Sequence, residues 1–128
     1  MADDTGFGLS TIGQIAVHVE DLDRAVVFYR ERLGMRFLFQ APPGLAFFDA
    51  GGVRLMLSRP EGEAGGTSVL YFKVDDISGA TASLKDRGVV IVDEPHIIAK
   101  MGMYDLRMAF FRDSEGNLHG LISEVPQR

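Results

Sequence analysis

The sequence contains an internal repeat, and this repeat constrains the fold more than any other feature of the chain. Residues 14–25, QIAVHVEDLDRA, match residues 69–80, VLYFKVDDISGA. Residues 46–58, AFFDAGGVRLMLS, match residues 109–123, AFFRDSEGNLHGLIS. A half of about 55 residues buries too little surface to be stable alone. We therefore expect two similar halves that share one core.

Each half begins with an alternating strand that leads into a predicted helix. In the first half, apolar residues recur at helical spacing over 22–33, with Asp21 at the N-cap position and Gly34 at the predicted stop. In the second half, a thinner apolar stripe covers 77–84, and Gly88 follows it. A hairpin then closes each half, with DAGG at one turn and DSEGN at the other.

Each half thus predicts the order strand, helix, strand, strand, strand. The predicted fold class is α+β, with two βαβββ modules forming one curved eight-stranded mixed sheet and helices on its convex side. We expect residues 1–10 to form a flexible tail and 11–128 a single domain, with modules at about 12–58 and 67–124. The linker between the modules is predicted at 59–66. The predicted strands are at about 12–19, 36–40, 45–49, 52–58, 67–74, 89–92, 106–112 and 117–123.

The alternation of side chains assigns a face to each strand residue. In the first strand, the large apolar residues Ile15, Val17 and Val19 predict the side that the helices cover. The residues between them then face the concave side, where a small ligand would bind among apolar and a few polar groups. By the same parity, the predicted concave residues are Gln14, Ala16, His18, Arg54, Met56, Ser58, Val69, Tyr71, Lys73, Leu118, Gly120 and Ile122.

Composition excludes several classes of protein. The 128-residue chain has a formal net charge of −5 and no run of Lys or Arg, which argues against nucleic acid and anionic membranes as partners. It has no cysteine, so thiolate catalysis, disulfides and zinc fingers are excluded. The first ten residues lack a signal-peptide pattern, and no apolar run approaches the ~20 residues of a membrane helix. A cytoplasmic location is predicted.

The two βαβββ modules, the stretch HVEDLDRAVVFYRERLGM at 18–35 and the stretch FFRDSEGNLHGLIS at 110–123 resemble the vicinal oxygen chelate superfamily. That superfamily includes glyoxalase I, methylmalonyl-CoA epimerase, extradiol dioxygenases, fosfomycin-resistance enzymes and bleomycin-resistance proteins. The resemblance covers about residues 12–124. It implies the fold predicted above and is specific for the superfamily rather than for one activity.

Metal-dependent members of this superfamily carry four ligands on the concave face, usually His or Gln, Glu, His and Glu. The resemblance places these positions at Gln14, Met56, Val69 and Gly120. A divalent metal ion requires oxygen or imidazole donors, which a thioether, an isopropyl group and a bare backbone do not supply. We therefore predict no metal ion and no cofactor.

The histidines and Tyr71 leave alternatives open. A regular strand turns His119 away from the concave face, whereas a bulge at Gly120 would turn it inward. His18 is about 13 Å from Gln14 at ~3.3 Å per residue, so it contacts a ligand or lies on an exposed rim rather than sharing a metal. His96 is expected in a long connection. Tyr71 is a hydrogen-bonding pocket residue or a proton donor whose ordinary pKa near ~10 needs lowering.

The sequence therefore predicts a protein that binds an apolar small molecule in the concave cleft without a metal ion. A rim of His18, Arg54 and Lys73 favours an anionic group on that ligand. Two alternatives remain: a metal-dependent lyase, isomerase or dioxygenase with an atypical ligand set such as Gln14 with His119, and a structural or regulatory dimer module. Open strand edges predict a homodimer. The predicted ligand-binding residues are Gln14, His18, Arg54, Met56, Val69, Tyr71, Met108, Phe110 and Gly120.

Overall fold

The structure is a computed structural model that describes residue 7 and residues 12–59, 67–100 and 102–126. The predicted tail, except for residue 7, and the predicted linker from residue 60 onwards lie outside the described residues. The first module contains β1 (Gln14–His18), α1 (Leu22–Val27), a π-helical segment (Phe28–Arg32), β2 (Arg36–Ala41), β3 (Leu45–Ala50) and β4 (Val53–Ser58). The second contains β5 (Tyr71–Lys73), α2 (Ile77–Asp86), β6 (Val90–Lys100), β7 (Tyr104–Arg112) and β8 (Leu118–Pro126).

The strands form two four-stranded mixed sheets with the same topology. Their orders are β1-β4-β3-β2 and β5-β8-β7-β6, in which β1–β4 and β5–β8 are parallel and the other pairs antiparallel. The α+β class and the two βαβββ modules are confirmed, but the prediction of one continuous eight-stranded sheet needs correction. At the edge of β1, the backbone N–H of His18 donates to the Thr67 hydroxyl at 2.9 Å instead of pairing with β5.

The helices begin and end where the sequence predicts. Asp21 Oδ1 accepts a hydrogen bond from the backbone N–H of Arg24 at 3.0 Å, as an N-cap does, and Asp76 caps α2 in the same way. Gly34 follows the first helical segment at φ 71° and Gly88 follows α2 at φ 80°, a backbone conformation that favours glycine. Both predicted stops are therefore confirmed.

The core lies between the sheets and the helices. The predicted helix-side residues of β1 and β4, such as Val17 and Leu55, are buried together with Tyr29 of the π-helical segment and Phe111 of β7. Burial of large apolar side chains is the main favourable contribution to folding, at about 25 cal/mol per Å². The parity that assigned the two faces is thus confirmed for these strands.

Two strands differ in length from their predictions. The strand predicted at 67–74 is regular only over Tyr71–Lys73, whereas the strand predicted at 89–92 extends over Val90–Lys100. The pairing of β6 with β7 shifts register at three places, which breaks the alternation that reveals a strand in sequence. His96 consequently lies in β6 and not in a long connection, and its Nδ1 lies 2.8 Å from the backbone oxygen of Glu94.

The hairpin turn at residues 113–117 joins the second module to the start of α1. The Glu115 carboxylate accepts hydrogen bonds from the backbone N–H groups of Glu20 and Asp21 and pairs with Arg24 at 2.8 Å. Asn117 donates to the backbone oxygen of His18 at 2.9 Å. These contacts fix the orientation of the two modules at one end of β1. Within the part of the chain that the structure describes, no helix is long and apolar enough to cross a membrane.

Candidate functional site

Three predicted site residues of the first module contact one another on the concave face. Gln14 lies opposite Arg54 in the β1–β4 register, and the side-chain oxygen of Gln14 accepts a hydrogen bond from Nε of Arg54 at 2.9 Å. The amide nitrogen of Gln14 points to the sulfur of Met56 at 3.6 Å. Both polar atoms of the Gln14 side chain are therefore engaged within the protein.

The Arg54 guanidinium is held in position from two sides. Besides its bond to Gln14, it lies over the ring of Phe47 on the neighbouring strand, with 5.3 Å between Cζ and the ring centroid. Asp49 lies opposite Arg54 in the β3–β4 register, and its carboxylate accepts the backbone N–H of Gly52 at 3.2 Å. A guanidinium bonded through Nε keeps its terminal N–H groups for an anion, as in carboxylate recognition.

The predicted residues of the second module form a separate group. The rings of Tyr71 and Phe110 meet edge to face at 6.0 Å over Gly120, which lies opposite Tyr71 in one strand pair and opposite Phe110 in the other. A Cβ atom at Gly120 would lie 3.0 Å from the Tyr71 ring and 3.1 Å from the Phe110 ring. Gly120 is buried beneath the two rings, so a ligand would meet the rings rather than Gly120.

A pocket between the two modules has a volume of about 520 Å³ and includes two of the predicted residues, Val69 and Tyr71. It exists because β1 and β5 do not pair, which leaves a space between the sheet edges. Among the described residues that line it, Lys73 is the one that carries a charge. The remaining lining residues are Ile15, Met35, Ala50, Gly51, Val53, Leu55, Leu70 and Phe72. Apolar walls with a single charged group are typical of sites for small apolar ligands.

The other predicted residues have less direct relations to this pocket. Met108 and Phe110 lie on β7, half-buried, with Met108 opposite Ile122 and His96. His18 is half-buried, and its ring Nδ1 is buried with no hydrogen-bond partner among the described residues. The expectation of one cleft lined by all nine residues thus differs from the structure, which gives one group per module and a pocket between the modules. Their roles in ligand binding stay predictions.

His119 lies in the core and not on the concave face. Strand β8 is regular at this point, with His119 opposite Phe111, so the bulge that would have turned the ring inward is not formed. The backbone N–H of Leu70 donates to Nδ1 of His119 at 3.1 Å, which leaves the proton on Nε2. Nε2 lies 2.8 Å from the hydroxyl of Tyr29, which donates to Asp113 Oδ2 at 2.6 Å.

This buried chain of His119, Tyr29 and Asp113 joins the two modules and shifts the pKa of two groups. Burial, together with the charge of Asp113, raises the pKa of the Tyr29 phenol. Burial would also raise the pKa of Asp113, but hydrogen bonds from Tyr29 and Asn117, together with the His119 ring 3.7 Å away, outweigh it and lower the pKa to about 2. Tyr29 and His119 are fully enclosed and Asp113 is buried, so this chain of contacts stabilises the fold.

The structure also shows residues that the sequence did not single out. Phe47 supports Arg54, and Tyr29 and Asp113 enclose His119, although 84 positions separate Tyr29 from Asp113. The signal for Phe47 was available, because the repeat aligns AFFD at 46–49 with AFFR at 109–112 and so matches Phe47 with the predicted site residue Phe110. No local sequence pattern predicts the hydrogen bond between Tyr29 and Asp113.

Comparison with known proteins now identifies the family. Residues 11–120 match the model of the Glyoxalase/Bleomycin resistance protein/Dioxygenase superfamily. The chain belongs to this superfamily. It is 31% identical over 120 residues to the uncharacterized protein YraH of Bacillus subtilis, an alignment that covers 82% of this chain and 91% of YraH.

The chain is also similar to two proteins whose names describe different functions. Mitochondrial methylmalonyl-CoA epimerase of Bos taurus is 26% identical over 138 aligned positions, which cover 94% of this chain and 76% of the epimerase. The crystal structure of TnmS3, an antibiotic binding protein from Streptomyces sp. CB03234, superposes with a TM-score of 0.74 at 26% identity and covers 94% of this chain and 99% of TnmS3. The chain is thus similar both to a protein named as an enzyme and to one named as a binding protein.

The residues at the superfamily metal positions do not fit a metal ion. Gln14 supplies the one oxygen donor, and that oxygen already accepts a hydrogen bond from a guanidinium. A cation 2.9 Å from the donor atom repels a second cation. Met56, Val69 and Gly120 add no oxygen or imidazole ligand. Among the residues described, no three His, Asp or Glu side chains are grouped so that they could hold a metal ion.

Proposed function

We propose that this protein binds an apolar small molecule that carries one anionic group, and that it does so without a metal ion. The observation that carries the proposal is the hydrogen bond from Arg54 to Gln14. Gln14 stands at a position where metal-dependent relatives carry a ligand, and in this chain its side-chain oxygen accepts a hydrogen bond from the Arg54 guanidinium. The site is thereby suited to an anion and not to a divalent cation.

The pocket between the modules supplies the apolar part of the proposed site. Its volume of about 520 Å³ falls within the range of small-molecule pockets, about 300–1,000 Å³. Each Å² of apolar ligand surface buried there would contribute about 25 cal/mol, less the cost of ordering the ligand. An ion pair with Lys73 at the edge would add at most ~1 kcal/mol while it remains hydrated. Affinity would therefore depend mainly on the shape of the apolar body.

A metal-dependent lyase, isomerase or dioxygenase is the second candidate, and the likeness to methylmalonyl-CoA epimerase favours it. The donor set opposes it, because His119 is enclosed in the core and cannot join Gln14 on the concave face. Binding without chemistry is accordingly the function that the site supports best.

We also propose that the protein forms a homodimer. Among the described residues, each sheet has two edge strands that are paired on one side alone, namely β1 and β2 in one sheet and β5 and β6 in the other. Strands β2 and β6 expose large apolar side chains, which are Leu38, Phe39, Val90, Val92, Ile97 and Ile98. Unpaired edges with exposed apolar residues favour association with a second copy.

Amide chemical-shift mapping of the isotopically labelled protein tests the proposed site. Three probes of matched size would be titrated: 2-naphthoate, the neutral 2-naphthamide and the cationic 2-naphthylmethylammonium. We expect 2-naphthoate to bind most tightly and to shift the amides of Val69, Tyr71 and Phe72. Lys73→Met should weaken binding severalfold, whereas Lys85→Met, on α2 outside the pocket, should not. Equal affinity for the cationic probe, or shifts confined to residues far from Tyr71, would contradict the proposal.

A further inference from the structure

A second pocket lies between α1 with its π-helical segment and the end of β7. Its volume is about 570 Å³, and it shares no residue with the pocket between the sheet edges. One wall comes from the first module and the other from the second. The residues that line it include Arg24, Val27, Phe28, Arg32, Val90 and Arg112.

Three arginines give this pocket a positive charge that the surrounding residues compensate only in part. Arg24 pairs with the Glu115 carboxylate at 2.8 Å. Arg32 and Arg112 instead donate to backbone oxygens, those of Gly88 at 3.5 Å and Gly116 at 3.0 Å, and neither has a carboxylate partner among the described residues. A carbonyl holds a guanidinium in place without neutralising it, so both retain N–H groups and charge for an anion.

Asp113 also lines this pocket, and its carboxylate is already occupied. Its Oδ1 accepts the backbone N–H groups of Glu115 and Asn117, and its Oδ2 accepts Tyr29 and the Asn117 side chain. These four neutral donors hold the buried Asp113 carboxylate in place, and it keeps its single negative charge. The positive charge of Arg32 and Arg112 therefore exceeds what Asp113 offsets.

The same pocket exposes apolar surface. Val27 and Val90 are 56% and 65% exposed, and Phe28 lies buried beneath them at the pocket wall. Phe28 and Arg32 belong to the π-helical segment, in which the Leu33 N–H bonds to the Phe28 oxygen at 3.1 Å. Such segments occur frequently at functional sites. Apolar walls beside two guanidiniums whose charge is only partly offset suit a ligand that has an apolar body and an anionic head.

We propose that this second pocket binds a small organic anion, with an aryl or short alkyl body against Val27 and Val90 and a carboxylate, sulfonate or phosphate between Arg32 and Arg112. The ligand bridges the two modules, because Arg32 belongs to the first and Arg112 to the second. Its binding stabilises the folded protein by mass action. The site is independent of the function proposed above, which concerns a different pocket.

Amide chemical-shift titrations of the whole protein test this site with three probes. The probe 2-naphthalenesulfonate has both an apolar aryl body and a negative charge. The probe 2-naphthalenesulfonamide has the same aryl body without the charge, and inorganic phosphate has the charge without an apolar body. We expect the sulfonate to shift the amides of Val27, Gly88 and Ser114, with a dissociation constant about tenfold below that of either other probe. The double variant Arg32→Gln/Arg112→Gln should raise that constant by about tenfold.

Matched variants separate this site from general charge effects and from the first pocket. Arg36→Gln/Arg59→Gln removes the same charge from two exposed arginines outside both pockets and should leave the constant unchanged. Lys73→Met should affect only the shifts around Tyr71. The proposal is overturned if the amides of Val27 and Gly88 do not shift at millimolar sulfonate, or if both double variants weaken binding equally. Equal binding of the neutral sulfonamide would also overturn it, because the arginines would then play no part.

Discussion

The hydroxyl of Tyr29 lies 2.6 Å from Oδ2 of Asp113, and this hydrogen bond joins the helical segment of the first module to the end of β7 in the second. Tyr29 is fully buried and contacts His119 through the same oxygen at 2.8 Å. We predict that Tyr29→Phe lowers the free energy of unfolding by about 1–3 kcal/mol, because it removes one of the donors to buried Asp113 and leaves the buried Nε2 of His119 without its partner. Urea denaturation followed by circular dichroism measures this loss.

Tyr104→Phe is the matched control, since it removes the same hydroxyl from a half-buried tyrosine on β7 for which the described residues show no hydrogen bond. Its unfolding free energy should stay within about 0.5 kcal/mol of the parent protein. If the two variants were equally stable, the buried chain through Tyr29 would not hold the modules together.

Stability should fall in acid because of two carboxylates at the module junction. Hydrogen bonds lower the pKa of Asp113 from 3.8 to about 2, and the Arg24 side chain lowers the pKa of Glu115 from 4.5 to about 2. The unfolded chain therefore binds protons first, so the stabilisation is complete above the ordinary pKa values and is lost as the pH falls toward 2. Unfolding free energies measured from pH 7 to pH 2 should be constant at first and decline below about pH 4.5.

The variant Asp113→Asn should reduce the slope of this decline, since it removes one of the two titrating groups. Asp23→Asn, which alters an exposed carboxylate of α1, should leave the slope unchanged. If the unfolding free energy of Asp113→Asn declined with pH in parallel with that of the parent protein, Asp113 would not be one of the groups responsible for the acid dependence.

Gly120 should not tolerate a side chain. A Cβ atom there would lie 3.0 Å from the Tyr71 ring and 3.1 Å from the Phe110 ring, so one ring must move. We predict that Gly120→Ala destabilises the protein by about 1–3 kcal/mol, as overpacking does, and weakens binding of 2-naphthoate. Gly13→Ala is the control, because a Cβ at Gly13 would meet nothing within 4 Å. Equal stability and affinity of the two variants would show that the rings above Gly120 are not fixed.

The chain should form a dimer in solution. Static light scattering at micromolar concentration should give about twice the 14.0 kDa mass of one chain. Ile98→Lys, which places a charge on the exposed apolar side of β6, should shift the population toward monomer. Ala82→Lys adds the same charge on the exposed surface of α2 and should not. A mass of 14 kDa for the parent protein at these concentrations excludes the dimer.

The sequence predicted the helix ends and the strand faces, which depend on interactions between residues close together in the chain. Asp21 caps the first helix and Gly34 and Gly88 follow the helix ends, since each acts through backbone groups a few residues away. The alternation of β1 and β4 gave the correct faces because one side of each strand packs on helices.

Long-range relations were not predictable in the same way. The gap between β1 and β5 depends on where two sheets stop pairing, so the separation of the predicted site residues into two groups could not be read from parity alone. The length of β6 could not be predicted, because its register shifts interrupt the alternation of apolar and polar residues by which a strand is recognised in sequence. The packed position of His119 was among the alternatives, but its partners Tyr29 and Asp113 are distant in sequence.

The central claim is that ligand binding requires no metal ion, and calorimetric titration of 2-naphthoate tests it most directly. The titration would compare protein dialysed against chelator with protein dialysed against zinc, nickel or manganese, with elemental analysis of each sample. We predict the same dissociation constant in the chelated and in the metal-dialysed protein, a severalfold higher constant in Lys73→Met, and a metal content well below one ion per chain. Binding that appears only in the metal-loaded protein, with about one retained ion per chain, would contradict the claim.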